Sequence, residues 1–142
     1  MRVLGVDPGE KHLGLAVSDE TGLVARPLAT LRHVSRAEDA ARIVSAVQAQ
    51  GAAQIVVGYA LDSDGQPGPQ ARHAEKLAEA LRALTAVPVV LHDESFSSEE
   101  ANAGMRAAGK KRRARREQIH TAAAAAILQS YLNGHSRETP AN

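Results

Sequence analysis

The first thirty residues contain three short apolar runs whose connections are too short to cross a sheet, and this limits the possible folds more than any other feature. The runs are Arg2 to Val6, Leu13 to Ser18 and Leu23 to Leu31. Pro8-Gly9 and the stretch from Asp19 to Gly22 separate them with turn-forming residues. Parallel neighbours would need a crossover of a dozen residues or more, so the runs predict an antiparallel meander. After them the pattern changes. Ser35 and Glu38 have capping-box spacing, and Ala40, Ile43, Val44 and Val47 recur at helical spacing until Gly51.

Further on, Gln54 to Gly58 reads as a buried strand. A helix with Ala74, Leu77, Ala78, Leu81 and Leu84 on one face follows a Gly/Pro/Asp-rich connection from Asp62 to Pro69. Pro88 to Leu91 predicts a fifth strand, and Ser97 with Glu100 opens a third helix closed by Gly109. The alanine-rich segment from about Glu117 to Asn133 predicts a last helix, stopped by Gly134. The order βββαβαβαα builds an α/β fold with a mixed five-stranded sheet, the meander first and parallel strands after it, flanked by helices. One domain over residues 1–134 and a flexible tail over 135–142 are expected from the length of 142 residues.

Cysteine is absent, which removes disulfides and thiolate metal sites. The apolar run from Met1 to Val6 is too short for a signal peptide or a membrane span, so a soluble, cytoplasmic protein with no membrane partner is expected. The net charge of +1 conceals an uneven distribution. Six of seventeen basic side chains are Lys110, Lys111, Arg112, Arg113, Arg115 and Arg116, leaving eleven against sixteen acidic ones, a balance of −5. A basic loop on an acidic body suits a polyanion, nucleic acid above all. The only aromatic residues are Tyr59, Phe96 and Tyr131, too few for a base-stacking platform.

Polar residues just beyond strand ends are the first place to look for chemistry in an α/β sheet. Asp7 follows the first strand and Glu94 the fifth. If those strands run the same way, the two carboxylates can converge. Their mutual repulsion then favours a divalent cation, Mg²⁺ or Mn²⁺ for such hard oxygens. Taken singly, each also reads as an ordinary turn or cap residue.

The string from Gly5 to Asp19, GVDPGEKHLGLAVSD, resembles the opening hairpin of the YqgF/RuvX family of RNase H-like nucleases. Members are described as pre-16S rRNA nucleases and as Holliday-junction resolvase-like. Ile55-Val56-Val57-Gly58 with Leu61 and Asp64-Gly65, Leu91-His92-Asp93-Glu94 with Ser97 and Ser98, and the segment from Ala124 to Leu132 match in the family's order. The resemblance implies catalytic, metal-binding carboxylates at Asp7 and Glu94. It also implies a third acid at the start of the last helix, where this chain has His120. At 100° per residue, His120 shares a stripe with Ala124, Ile127 and Tyr131 and faces the sheet. It would complete the metal shell, contact the scissile phosphate or handle a proton, with Glu117 one turn earlier in reserve.

Lys11, in the matching hairpin, and the basic loop from Lys110 to Arg116 are the expected nucleic-acid contacts. The mechanism expected is phosphodiester hydrolysis by two metal ions, with structured RNA as first substrate, the 5′ end of pre-16S rRNA, and branched DNA as second. A junction resolvase would need a dimer, whereas the sequence suggests a monomer or weak homodimer. Two rival readings remain: a non-catalytic nucleic-acid-binding protein, and an ATP-binding protein whose phosphate loop Asp7-Pro8-Gly9 resembles. The second requires two lobes, more than this length supplies.

Overall fold

The computed structural model describes residues 1–93 and 112–138. Its elements are β1 (Arg2–Pro8), β2 (His12–Ser18), β3 (Ala25–Arg32), α1 (Arg36–Gln50), β4 (Ala52–Tyr59), α2 (Pro69–Leu84), β5 (Val89–Asp93) and α3 (Arg112–Glu138). The five strands form one sheet in the order β3-β2-β1-β4-β5. β1 pairs antiparallel with β2, and β2 with β3, while β1–β4 and β4–β5 are parallel. This is the meander followed by crossovers that the connection lengths predict.

Period-two alternation divides the sheet between two cores. Leu4, Val6, Leu13, Leu15, Val17, Ile55 and Val57 pack with Ile43 and Val47 of α1 and Leu77 and Leu81 of α2. On the opposite face Val3, Ala16 and Val56 meet Ala124, Ile127, Leu128 and Tyr131 of α3. The stripe read at 100° per residue is therefore the buried face of the last helix. Among the described residues, no helix is long and apolar enough to cross a membrane.

Local chemistry explains the element ends. The Ser35 side chain caps α1 by accepting from the Glu38 amide at 3.1 Å, and Gly51 ends the helix in a left-handed conformation at φ 65°. β3 starts at Ala25 rather than Leu23, because Asp19 Oδ1 accepts the Leu23 and Val24 amides at 3.0 and 3.3 Å and holds both in the turn. Leu84, expected on the buried face, is the last residue of α2 and is exposed.

α3 is longer than predicted at both ends. It begins by Arg112, so Arg112, Arg113, Arg115 and Arg116 lie in helix rather than in a loop; arginine, alanine, glutamate and glutamine are all good helix formers. It also runs through Gly134 to Glu138, because a glycine weakens a helix by about 1 kcal/mol without terminating it. The helix expected over 97–109 lies outside the described residues, as do Glu94, Lys110 and Lys111.

Candidate active site

Asp7 lies inside β1 rather than in a turn, paired with Gly14, and Pro8 pairs with Leu13. Pairing with β4 stops at Val6↔Val57, so the missing amide of Pro8 costs no ladder bond on that side. Gly9 then closes the turn, its amide donating to the Asp7 carbonyl at 3.1 Å. By alternation Asp7 faces α3, on the side of Val3 and away from Leu4 and Val6. It is half-buried, and burial pushes its carboxyl up from 3.8 to about 6.

His12 and Gly14 share this face with Ala16, and His120 comes down on them from α3. A Cβ on Gly14 would lie 1.9 Å from the His120 carbonyl oxygen, and one on Gly5 would lie 2.8 Å from Leu128 Cβ. Only glycine lets the helix approach the strands this closely. The His12 and His120 rings stack with centroids 5.1 Å apart and planes tilted by 33°. Burial, and then the charge of His12, hold the His120 imidazole below its usual range, so it is neutral near pH 7. His120 thus stands beside Gly14, the cross-strand partner of Asp7, at the same end of the sheet.

β1 and β5 run in the same direction, as convergence of Asp7 and Glu94 requires, with β4 between them. The register Val6↔Val57↔Leu91 puts His92 level with Asp7 across the sheet. His92 Nε2 lies 3.1 Å from Ser130 Oγ, and its ring meets Tyr131 edge-on at 5.6 Å. Gln54 Nε2 donates to the Tyr131 hydroxyl at 2.7 Å, fixing α3 on β4 as well.

The donor chemistry suits a divalent cation in kind. Asp7 offers hard oxygens whose charge is penalised by burial, and neutral His120 offers a lone pair without repulsion. No group of three His, Asp or Glu side chains is ready-made among the described residues, and Glu94 lies outside them. Glu117 falls within α3. Lys11 is exposed on the β1–β2 turn, its carbonyl accepting from the His33 amide at 2.8 Å. The Asp62 to Gly68 connection is a tight turn in which Asp62 Oδ1 accepts from the amides of Asp64 and Gln66 at 3.0 and 2.9 Å.

Sequence reasoning missed His12 and His92. Both stand on the α3 face by simple alternation, so period-two counting from Gly14 and Val90 would have found them.

A family model described as RuvX: Holliday junction resolvase matches residues 1–134. A protein of Anaeromyxobacter dehalogenans (strain 2CP-1 / ATCC BAA-258) named "Putative pre-16S rRNA nuclease" is 44% identical over 133 residues, covering 94% of this chain and 97% of that one. One of the same name from Geobacillus kaustophilus (strain HTA426) is 42% identical over 135 residues, covering 94% and 98%. Among solved structures, T. thermophilus RuvC in complex with a Holliday junction substrate superposes with a TM-score of 0.60 at 22% identity, covering 96% of each chain. The fowlpox virus resolvase in complex with substrate Holliday junction DNA gives 0.59 at 10% identity, covering 95% of this chain and 99% of that one. These two likenesses show a shared fold.

Proposed function

The chain belongs to the RuvX family, and on that premise we propose that it is a divalent-metal-dependent nuclease that hydrolyses phosphodiester bonds of structured nucleic acid. The substrate we place first is the 5′ end of pre-16S rRNA, and the setting ribosome biogenesis in the cytoplasm. The relatives' names support this substrate, and the observation that carries the reading is Asp7. A half-buried carboxylate raised to about 6 at the carboxyl end of a central strand, with His120 packed against its cross-strand partner Gly14, is costly unless it works.

Asp7, with Glu94 and His120, would hold Mg²⁺ or Mn²⁺, which when bound supplies positive charge against the developing charge on the scissile phosphate. The protein's own groups do the rest. Asp7 anchors the site on a rigid strand, and α3, seated on Gly5 and Gly14, fixes the position of His120. His120, neutral near pH 7, has one lone pair, which would either enter the metal shell or accept a proton from the attacking water, and one N–H to donate to a phosphate oxygen. Arg112, Arg113, Arg115 and Arg116, with Lys110 and Lys111, supply phosphate contacts along a bound strand. Such contacts carry no base information, so cleavage follows structure rather than sequence.

Labelled pre-16S 5′-end RNA, a synthetic four-way DNA junction and a linear duplex, each with Mg²⁺ or Mn²⁺, test the proposal. Cleavage of the RNA by the native chain and its loss in Asp7→Asn and Glu94→Gln support it. Undiminished cleavage in both variants overturns the mechanism. Binding without cleavage under any ion would identify a non-catalytic protein, and preference for the junction would make it a resolvase.

A further inference from the structure

A cleft of about 460 Å³ opens beside the Asp7 centre, lined by Glu10, Lys11, His12, Arg32 and His33. It lies between the β1–β2 turn and the carboxyl end of β3. The two sides are joined by the His12↔Arg32 pair and by the 2.8 Å bond from the His33 amide to the Lys11 carbonyl.

α1 holds its rear wall rigid. Asp39, 1% exposed, accepts from the Val34 amide at 3.1 Å and from Arg42 Nη2 at 2.7 Å, and contacts His33 Nδ1. Arg42 also donates to the Arg32 carbonyl at 2.6 Å. An ionised carboxylate only accepts, so His33 Nδ1–H donates to Asp39 and Nε2 is left as the ring's other polar atom. Lys11 and Arg32 engage no carboxylate among the described residues. Two permanent cations and two imidazoles therefore face a single acid, Glu10.

His12 belongs both to this cleft and to the stacked pair with His120. The cleft and the Asp7 centre are thus continuous across one ring. We infer that the cleft is a second phosphodiester subsite, in which Lys11, Arg32 and His33 hold the sugar-phosphate backbone of the nucleic-acid strand on one side of the scissile bond. Its place relative to that bond rests on the nuclease reading; its affinity for phosphate does not. The strand would leave the centre toward β3, on the opposite side of β1 from β4 and β5. Exposed cations suit a polyanion that runs past the molecule.

The test measures binding by fluorescence anisotropy in an Asp7→Asn background, so that hydrolysis does not interfere, with a structured RNA hairpin in one arm and a four-way DNA junction in the other. Lys11→Ala and Arg32→Ala should each weaken binding about three- to tenfold at moderate salt and reduce the slope of log affinity against log salt by about one. Loss in both arms assigns the cleft to the backbone common to RNA and DNA, and loss in one arm assigns it to that strand type. Arg2→Ala, at the other end of β1 beside Glu20, should leave the slope unchanged. Arg32 is exposed, and a melting temperature equal to the parent's shows that the fold is intact.

In the catalytically intact chain, Arg32→Ala should raise KM with kcat nearly constant. Unchanged affinity and slope in both variants overturn the subsite even if the chain cleaves RNA. A lost slope in a chain that cleaves nothing upholds the subsite and overturns the nuclease reading.

Discussion

The carboxylate of Asp39 is 1% exposed, and burial raises its pKa; bonds from the Val34 amide, His33 and Arg42 outweigh that and hold it below its usual value. Asp7 has no such compensation among the described residues, and burial lifts it from 3.8 to about 6. The pH dependences therefore have opposite signs. Asp39 contributes stability above the unfolded value of 3.8, and that contribution is lost as pH falls through its lower folded value. Asp39→Ala should cost about 3 kcal/mol at pH 7, since it leaves Arg42 and His33 facing an empty buried position. Asp7 binds its proton more tightly in the folded state, so its penalty is absent below 3.8, grows as pH rises and is complete above about 6. At roughly 1.4 kcal/mol per unit the ceiling is about 3 kcal/mol, and half-burial reduces this to about 1–2. In chelator, Asp7→Asn should stabilise the protein by that amount at pH 7.5 and by nothing at pH 3.5, while in Mg²⁺ or Mn²⁺ the same substitution should abolish cleavage. Urea unfolding at the two pH values checks both signs.

At the scale of elements, α3 carries the site, and two of the glycines near it act in opposite ways. Gly14 lies directly under the His120 carbonyl, where an added Cβ would be 1.9 Å away, so Gly14→Ala must lift the helix or bend β2. A loss of about 3 kcal/mol is expected, with at least tenfold lower cleavage, because His120 moves with the backbone. Gly134 sits in the same helix with nothing within 4 Å of an added Cβ, so Gly134→Ala should gain about 0.5–1 kcal/mol and leave activity unchanged. Thermal unfolding of the pair against the native chain separates close approach from helix propensity. The sequence shows the glycines in its opening motif, but it does not show which of them carries a helix.

For the whole molecule, the three-layer arrangement brings the ends of β1, β2 and β5 and one turn of α3 to a single edge, and a ligand bound there should stabilise the folded chain. Mn²⁺ or Mg²⁺ at a hundredfold excess over its Kd should add about 2.7 kcal/mol to unfolding, and Asp7→Asn should abolish the shift. Melting curves with and without chelator read this directly. The amino-acid order alone determined the strand sequence, the antiparallel opening and parallel continuation, the Ser35 cap and Gly51 stop, and the buried stripe of α3. Each depends on local periodicity or on connection length, and both are properties of neighbouring residues. It also placed Asp7 at a strand end and turned His120 toward the sheet. Only the tertiary structure decided that His12 stacks on His120, that His92 stands level with Asp7, and that Asp39 is sealed behind His33. Those outcomes depend on register across strands and on how closely a helix packs against them, and neither leaves a periodic trace along the chain.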